Sequence, residues 1–460
     1  MDELWRLGAS ELADLIRKRE VKSREVVDAH LERIAATNPA LNAVTVTLTA
    51  TARAAADRAD AELASGAEPP PLHGVPFTVK ENIDLAGSAT TQGLVAMEHL
   101  EPEVDAPHIA QLKAAGAIAM ARTNLPDLGL RWHTDNALRN ATRNPWDAGR
   151  SPGGSSGGEA AALAVGMTPL GVGNDLGGSV RVPAQFCGIA SIKPTLGRVA
   201  DASALAPEEA SVSFQLMAVQ GPMARRVADV RLALENMSGP DPRDPWWTPA
   251  PLLGPALDRR IAVWHGGDDA QVDTGVDAAA GALADAGYAV EAVEPPQIAE
   301  AMDLWRDLVL CESRYMITMV RPLMGPDAVT FIEDAFGLKP DLDKDGYVKG
   351  LATRNELARA WSQFQVEHPL VLGPVCTRRP FPVGRDLDGP DAVAELLESM
   401  RLVVLVNLLG LPAAAVPVGV AEGLPQGVQL IGPRFREDAC LDAAQAIEDR
   451  LGTLTAIDPR

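Results

Sequence analysis

The stretch SPGGSSGGEAAALAVGMTPLGVGNDLGGSVRVPA, Ser151–Ala184, decides how this chain is read. It is crowded with glycine and serine and contains no histidine. Glycine weakens a helix or a strand by roughly 0.5–1 kcal/mol relative to alanine. Such density therefore marks tight turns, or backbone that must come very close to something. Within the stretch, GEAAALAVG (Gly158–Gly166) predicts a helix entered from a glycine turn, and TPLGVGND after it a short strand. The alternation continues outward. GVPFTVKENI (Gly74–Ile83) reads as a buried strand around a single lysine. HIAQLKAAGAIAMARTNLP (His108–Pro126) gives helix, glycine stop and strand, and IASIKPT (Ile189–Thr195) another strand. Helices and strands alternating at these lengths predict an α/β domain.

The flanks extend the pattern. Residues 10–36 carry helical spacing (Leu12, Leu15, Ile16, Val26, Val27, Leu31, Ile34), and residues 51–65 are Ala-rich and helix-forming. After a Pro-rich connector at 239–256, residues 261–295 predict strand, helix and strand, and 297–365 are mainly helical. From Pro369 the chain returns to strands (LVLGPV, AAAVPVGV, GVQLIG) and closes with the helix ACLDAAQAIEDRL. The expected fold is α/β: a single large domain, residues 1–460, with a mixed central β-sheet covered by helices on both faces. An N-terminal helical segment (1–65) precedes a core (66–235), a variable region (239–370) and a C-terminal return to the sheet (371–460).

Composition narrows the function. The 460 residues carry a formal charge of −21, with 47% hydrophobic and 22% charged residues. An acidic chain of this kind lacks the basic face of a nucleic-acid binder. Cys187, Cys311, Cys376 and Cys440 are widely scattered and form no CxxC, which argues against a disulfide framework or a zinc site. The N-terminus, MDELWRLGASELADLIRKRE, lacks the basic and apolar regions of a signal peptide. The most apolar run, Leu402–Val420, is broken by two prolines and two glycines, which argues against a membrane helix. It reads as a buried strand followed by a turn. A cytoplasmic protein without membrane association is expected.

Several motifs are weighed and set aside. GVGNDLGGS lacks the lysine of a phosphate loop, and Gly171-Val-Gly173 meets Leu176 where a dinucleotide fingerprint needs glycine. DLDKDGYVKGLA (Asp341–Ala352) resembles a calcium loop but ends in Ala352 where a bidentate glutamate is required, so it reads as a solvated acidic turn. None of the seven histidines forms HExxH, and no GxSxG elbow occurs. His73 is given a structural role, and Cys187 is read as a small buried residue. No metal and no cofactor is expected. Lys80 is different. A lysine inside an apolar strand is either snorkelling to the surface or buried. A buried lysine favours its neutral form and becomes a base, which could serve the serines of the opening stretch.

GGSSGGEAAALAVGMTPLGVGNDLGGSVRVPA resembles the signature of the amidase signature family. PLHGVPFTVKENIDLAGSATTQG looks like that family's lysine segment, FCGIASIKPTLGRV follows as it does there, and GLPAAAVPVG with GLPQGVQLIGPRFRE is similar to its C-terminal signature. Only about residues 239–370 match poorly. The resemblance implies a Ser–Ser–Lys triad: Ser179 as nucleophile, Ser155 as bridging serine after a cis peptide, and Lys80 as base. It further implies an oxyanion hole from backbone N–H groups of Leu176, Gly177, Gly178 and Ser179. Asp175 and Arg181 are supporting groups, and Ser156 is the weaker alternative to Ser155 as bridging serine, otherwise helping to orient it. The variable region then shapes the substrate site. Trp305, Tyr315, Met316, Met319, Phe331 and Trp361 suggest an aromatic and Met-rich pocket, with Phe214 and Met217 from the loop Asp201–Met217, a candidate lid.

The implied activity is hydrolysis of a small apolar or aromatic amide, with carbamates, urethanes and esters open to the same acyl-enzyme route. The glutamine-hydrolysing subunit of a tRNA-dependent amidotransferase complex is the alternative. In those subunits an Asp-rich stretch precedes an NLAGLP-like motif, and here that position reads SMRLVVLVNLLGLP. A small-molecule amide or carbamate is thus the expected partner, for a monomer or homodimer.

Overall fold

The strands that the sequence marks out all join one sheet in the computed structural model, which describes residues 3–205 and 209–460. With two strands that the sequence pattern does not mark, β1 (Val44–Thr47) and β6 (Val219–Ala224), these are β2 (Pro76–Lys80), β3 (Ile118–Thr123), β4 (Leu170–Asp175) and β5 (Ala190–Lys193), then β7 (Arg260–Val263), β8 (Ala289–Ala292), β9 (Leu370–Pro374), β10 (Ala413–Ala421) and β11 (Leu424–Ile431). Their order across the sheet is β1-β3-β2-β4-β6-β5-β10-β11-β9-β7-β8. β3, β2 and β4 run parallel, as do β9, β7 and β8, while the strands between them are antiparallel. This is the single mixed α/β domain expected. One apolar layer lies on each face. Phe77, Val79, Leu170, Val172 and Leu430 belong to one, and Met120, Leu163, Phe186, Leu405 and Ile431 to the other.

The glycines of β4 find their reason here. A Cβ at Gly171 would overlap the Glu159 carboxylate, and one at Gly173 would lie 2.6 Å from Ser156 Oγ. The helix Gly157–Ala164 thus sits directly on β4, with all eight of its residues buried. Close backbone approach, not phosphate binding, is what these glycines provide.

Two expectations are corrected. Leu402–Val420 is not a strand with a turn: Arg401–Leu409 is a helix, and only Ala413–Ala421 is strand. Every residue of that helix is buried, Arg401 and Asn407 included, so its sequence shows no split into an apolar and a solvated face. The helical spacing over residues 10–36 is borne out, in two helices, Ala9–Arg17 and Ser23–Leu41. The acidic turn at Asp341–Ala352 is mostly helix: Lys344–Glu367 begins inside it, and Asp343 caps it by accepting from Gly346 N–H at 2.7 Å. The helix Pro390–Ser399 lies where the sequence pattern marks none. Among the described residues no helix is long and apolar enough to cross a membrane.

Candidate active site

Lys80 ends β2 and Asp175 ends β4, and these two strands are parallel neighbours. Side chains from the carboxyl ends of parallel strands converge beyond the sheet, where α/β folds place their sites. The Lys80 ammonium group does not snorkel: the residue is fully buried. Its Nζ lies 2.7 Å from Ser155 Oγ and 2.7 Å from Asn174 Oδ1. Asn174 Nδ2 donates in turn to Asn82 Oδ1 at 3.0 Å. Burial lowers the Lys80 pKa to about 7, against the upward pull of Asp175 and Glu159. Glu159 is also fully buried. It accepts from Thr123 Oγ1 at 2.6 Å and from Thr78 Oγ1. Burial raises its pKa to about 7, although those hydroxyls and the charges of Lys80 and Arg122 oppose the rise. For both groups burial favours the uncharged form.

The Gly154–Ser155 peptide is cis, as the resemblance implies. Its loop packs on Arg131–Thr134: a Cβ at Gly154 would come within 2.7 Å of the Trp132 carbonyl carbon, and one at Gly157 within 2.9 Å of Thr134 Cβ. Ser156 N–H donates to the Ser179 carbonyl at 3.1 Å, so the two serine segments are joined through their backbones. The Ser156 hydroxyl is buried and, among the described residues, has no hydrogen-bond partner. Ser156 therefore ties the loop to Ser179 by its main chain and does not orient Ser155 by its side chain.

The loop from Asp175 to Ser179 is fixed by the Asp175 carboxylate. It accepts from Gly178 N–H at 2.7 Å, Val180 N–H at 3.2 Å, Asn407 Nδ2 at 2.9 Å and both Nε and Nη2 of Arg181 at 3.1 Å. Burial would raise this carboxyl, but the Arg181 charge and hydrogen bonds outweigh it and hold the pKa at about 2. Gly178 has φ +96°, a conformation that L side chains rarely adopt. Because its N–H is taken by Asp175, Gly178 drops out of the expected oxyanion hole. The N–H groups of Leu176, Gly177 and Ser179 donate to no protein acceptor among the described residues. Arg181→Met should leave Asp175 as an uncompensated buried charge and cost about 3–5 kcal/mol in urea unfolding. A loss below 1 kcal/mol would show that the pair is not a structural anchor.

Ser179 opens onto a pocket that also exposes Leu176, Trp132, Phe214, Trp305, Phe331 and Arg131. The pocket encloses about 720 Å³ of empty space, part of it open to solvent. Trp305 and Phe214 are brought to it as expected, and Phe331 with them. Tyr315 and Met316 are not. They lie further along the helix Ile298–Val320, where Tyr315 is 71% exposed and faces a separate cleft beside Lys344 and Tyr347. Met217 is fully buried in the core, Trp361 packs inside and donates to the Pro296 carbonyl, and Met319 is exposed. Ala206–Glu208 of the candidate lid lie outside the described residues. His73 is buried and its Nε2 meets the Ala59 carbonyl at 2.9 Å. Cys187 is buried too, which pushes its thiol pKa up. Trp132, Asn174 and Arg131 were not singled out from sequence. Asn174 adjoins the signature Asp175, and that adjacency was the available signal.

These features bring a buried lysine, the serine in contact with it and a second serine on an open pocket to one end of the sheet. A family model described as Amidase matches residues 25–441, and the chain belongs to the amidase signature family. It is 43% identical to an indoleacetamide hydrolase of Bradyrhizobium diazoefficiens, over 98% of this chain and 88% of that protein. It is 34% identical to one subunit of the glutamyl-tRNA(Gln) amidotransferase of Roseiflexus castenholzii, over 98% and 97% of the two chains. Among solved structures, that of 6-aminohexanoate cyclic dimer hydrolase complexed with substrate matches at TM-score 0.84 and 27% identity, covering 100% of this chain and 99% of that one.

Proposed function

We propose that this protein hydrolyses a small arylalkyl amide, of the arylacetamide type, through an acyl-enzyme on Ser179. The observation that carries the reading is the position of Ser179 on an apolar, tryptophan-walled pocket, with Lys80 and Ser155 in contact behind it. Ser179 Oγ attacks the amide carbonyl. Its proton passes to Ser155, whose own proton passes to the neutral Lys80 amine. The oxyanion is met by the N–H groups of Leu176, Gly177 and Ser179. Lys80 then returns the proton through Ser155 to the departing nitrogen, the C–N bond breaks, and ammonia or an amine leaves. Water enters by the same relay, frees the carboxylic acid and restores Ser179.

The likeness to an indoleacetamide hydrolase supports an aromatic acyl group, and the pocket supplies the matching surface. Carbamates and esters can follow the same addition and elimination. The mainly apolar lining, with Leu176, Trp132, Phe214, Trp305 and Phe331, weighs against the reading as an amidotransferase component. Burying an aromatic ring is worth about 1.5–3 kcal/mol over leaving it in water. Purified enzyme should therefore show kcat/KM for indole-3-acetamide or phenylacetamide about ten- to a hundredfold above that for glutamine. The assay is product release by chromatography, with an aryl carbamate and an aryl ester in the same panel. Turnover of glutamine alone would refute the proposal.

A further inference from the structure

Two indoles grip the carbonyls of the nucleophile loop. Trp305 Nε1 donates to the Leu176 carbonyl at 3.1 Å, and Trp132 Nε1 to the Gly177 carbonyl at 2.9 Å. The rings themselves lie 6.4 Å apart, centroid to centroid, and both line the pocket. In a trans peptide the C=O and the following N–H lie in one plane and point opposite ways. The Leu176–Gly177 plane is therefore held at its oxygen by Trp305, with the Gly177 N–H as its other end. The Gly177–Gly178 plane is held at both ends, by Trp132 at the oxygen and by Asp175 at the Gly178 N–H. Gly177 is also pressed against the indole: a Cβ there would lie 2.6 Å from Trp305 Cζ2.

We infer that Trp305 and Trp132 are positioning residues for the oxyanion hole, acting through their indole N–H groups and not only as pocket walls. Trp305 aims the Gly177 N–H, and Trp132 keeps the next peptide from rotating. The inference rests on the acyl-enzyme reading above. It couples the substrate wall to the catalytic backbone, because a ring displaced by an ill-fitting acyl group would turn the same peptide that stabilises the transition state. Preorganised donors stabilise charge only while their direction is fixed.

The test removes the N–H and keeps the ring. Trp305→Phe and Trp132→Phe are assayed on phenylacetamide, with benzylboronic acid as tetrahedral mimic and phenylacetate as product. A 3-benzothienylalanine at position 305, which places sulfur where the indole has N–H, retains the bicyclic shape if phenylalanine unfolds the enzyme. In each variant kcat should fall about tenfold or more, with KM and phenylacetate inhibition within about twofold. Benzylboronic acid should weaken by the same factor as kcat. A raised KM with unchanged kcat and unchanged boronate affinity would reduce the indoles to walls and overturn the inference. Fluorophosphonate labelling keeps the two claims apart: label on Ser179 in wild type upholds the acyl-enzyme reading, and label elsewhere overturns that reading and this inference with it.

Discussion

Replacing Ser179 by alanine is expected to lower kcat by at least about 10,000-fold while the fold survives. The side chain is small and, at 8% exposed, the most accessible of the three reactive groups. The hydrogen bond that anchors this residue, from Ser156 N–H to the Ser179 carbonyl, belongs to the backbone and is kept. The Ser179→Ala protein should therefore melt within a few degrees of wild type and still bind phenylacetate. A fluorophosphonate should label Ser179 in wild type and label nothing in the variant. Ser155→Ala should also be damaging, since Lys80 Nζ would lose its 2.7 Å partner. The two losses should not add, because the groups act as a unit. A Ser179→Ala enzyme with more than a few per cent of wild-type turnover would remove Ser179 from the nucleophile's role.

Lys80→Arg is expected to be almost as severe, about 100- to 10,000-fold in kcat, because a guanidinium stays protonated at every working pH and cannot accept the serine proton. The wild-type profile follows from the same group. Burial has lowered Lys80 to about 7, so the protonated, inactive form dominates below that pH and the neutral base above it. Rate should thus rise with pH, tenfold per unit on the acid limb, then level off into the alkaline range. Glu159 titrates in the same region, so the midpoint belongs to the pair. Lys193 is also lowered to about 7 by burial, but its Nζ donates to the Pro194 carbonyl and touches neither serine. Lys80→Ala should lose the rate and the acid limb together. A Lys80→Arg enzyme with near wild-type kcat would end the case for a lysine base.

The two strands that carry the site were legible because their signals are local, whereas β1 and β6 were not marked. Pro76–Lys80 and Leu170–Asp175 are short runs bounded by turn residues, and glycine in β4 reports the helix packed on it. The helix Arg401–Leu409 reads as strand because a fully buried element shows no period by which helix and strand can be told apart. In the pocket, residue type misled where direction would have served. Trp305, Val309 and Ser313 stand four apart on one helix and line the pocket, whereas Tyr315 turns away from it. Trp132 sits in a loop, where no period exists. Its task depends on meeting Gly177, 45 positions later, and no local pattern reports such a meeting.

The fastening of the nucleophile loop also orders events in time. Leu176 is held by Trp305, 129 positions further on. Asp175 is held by Asn407, 232 further on, and Arg181 reaches Gln429, 248 further on. Chains emerge from the ribosome amino end first, at about 5–20 residues per second. Lys80, Ser155 and Ser179 are all made before any of these fasteners exists. A growing chain therefore carries all three side chains for roughly ten seconds or more before the whole set of distant fastenings can form. The loop that carries Ser179 therefore takes its full set of fastenings only once β11 is laid into the sheet, and its geometry depends on chain made long after it.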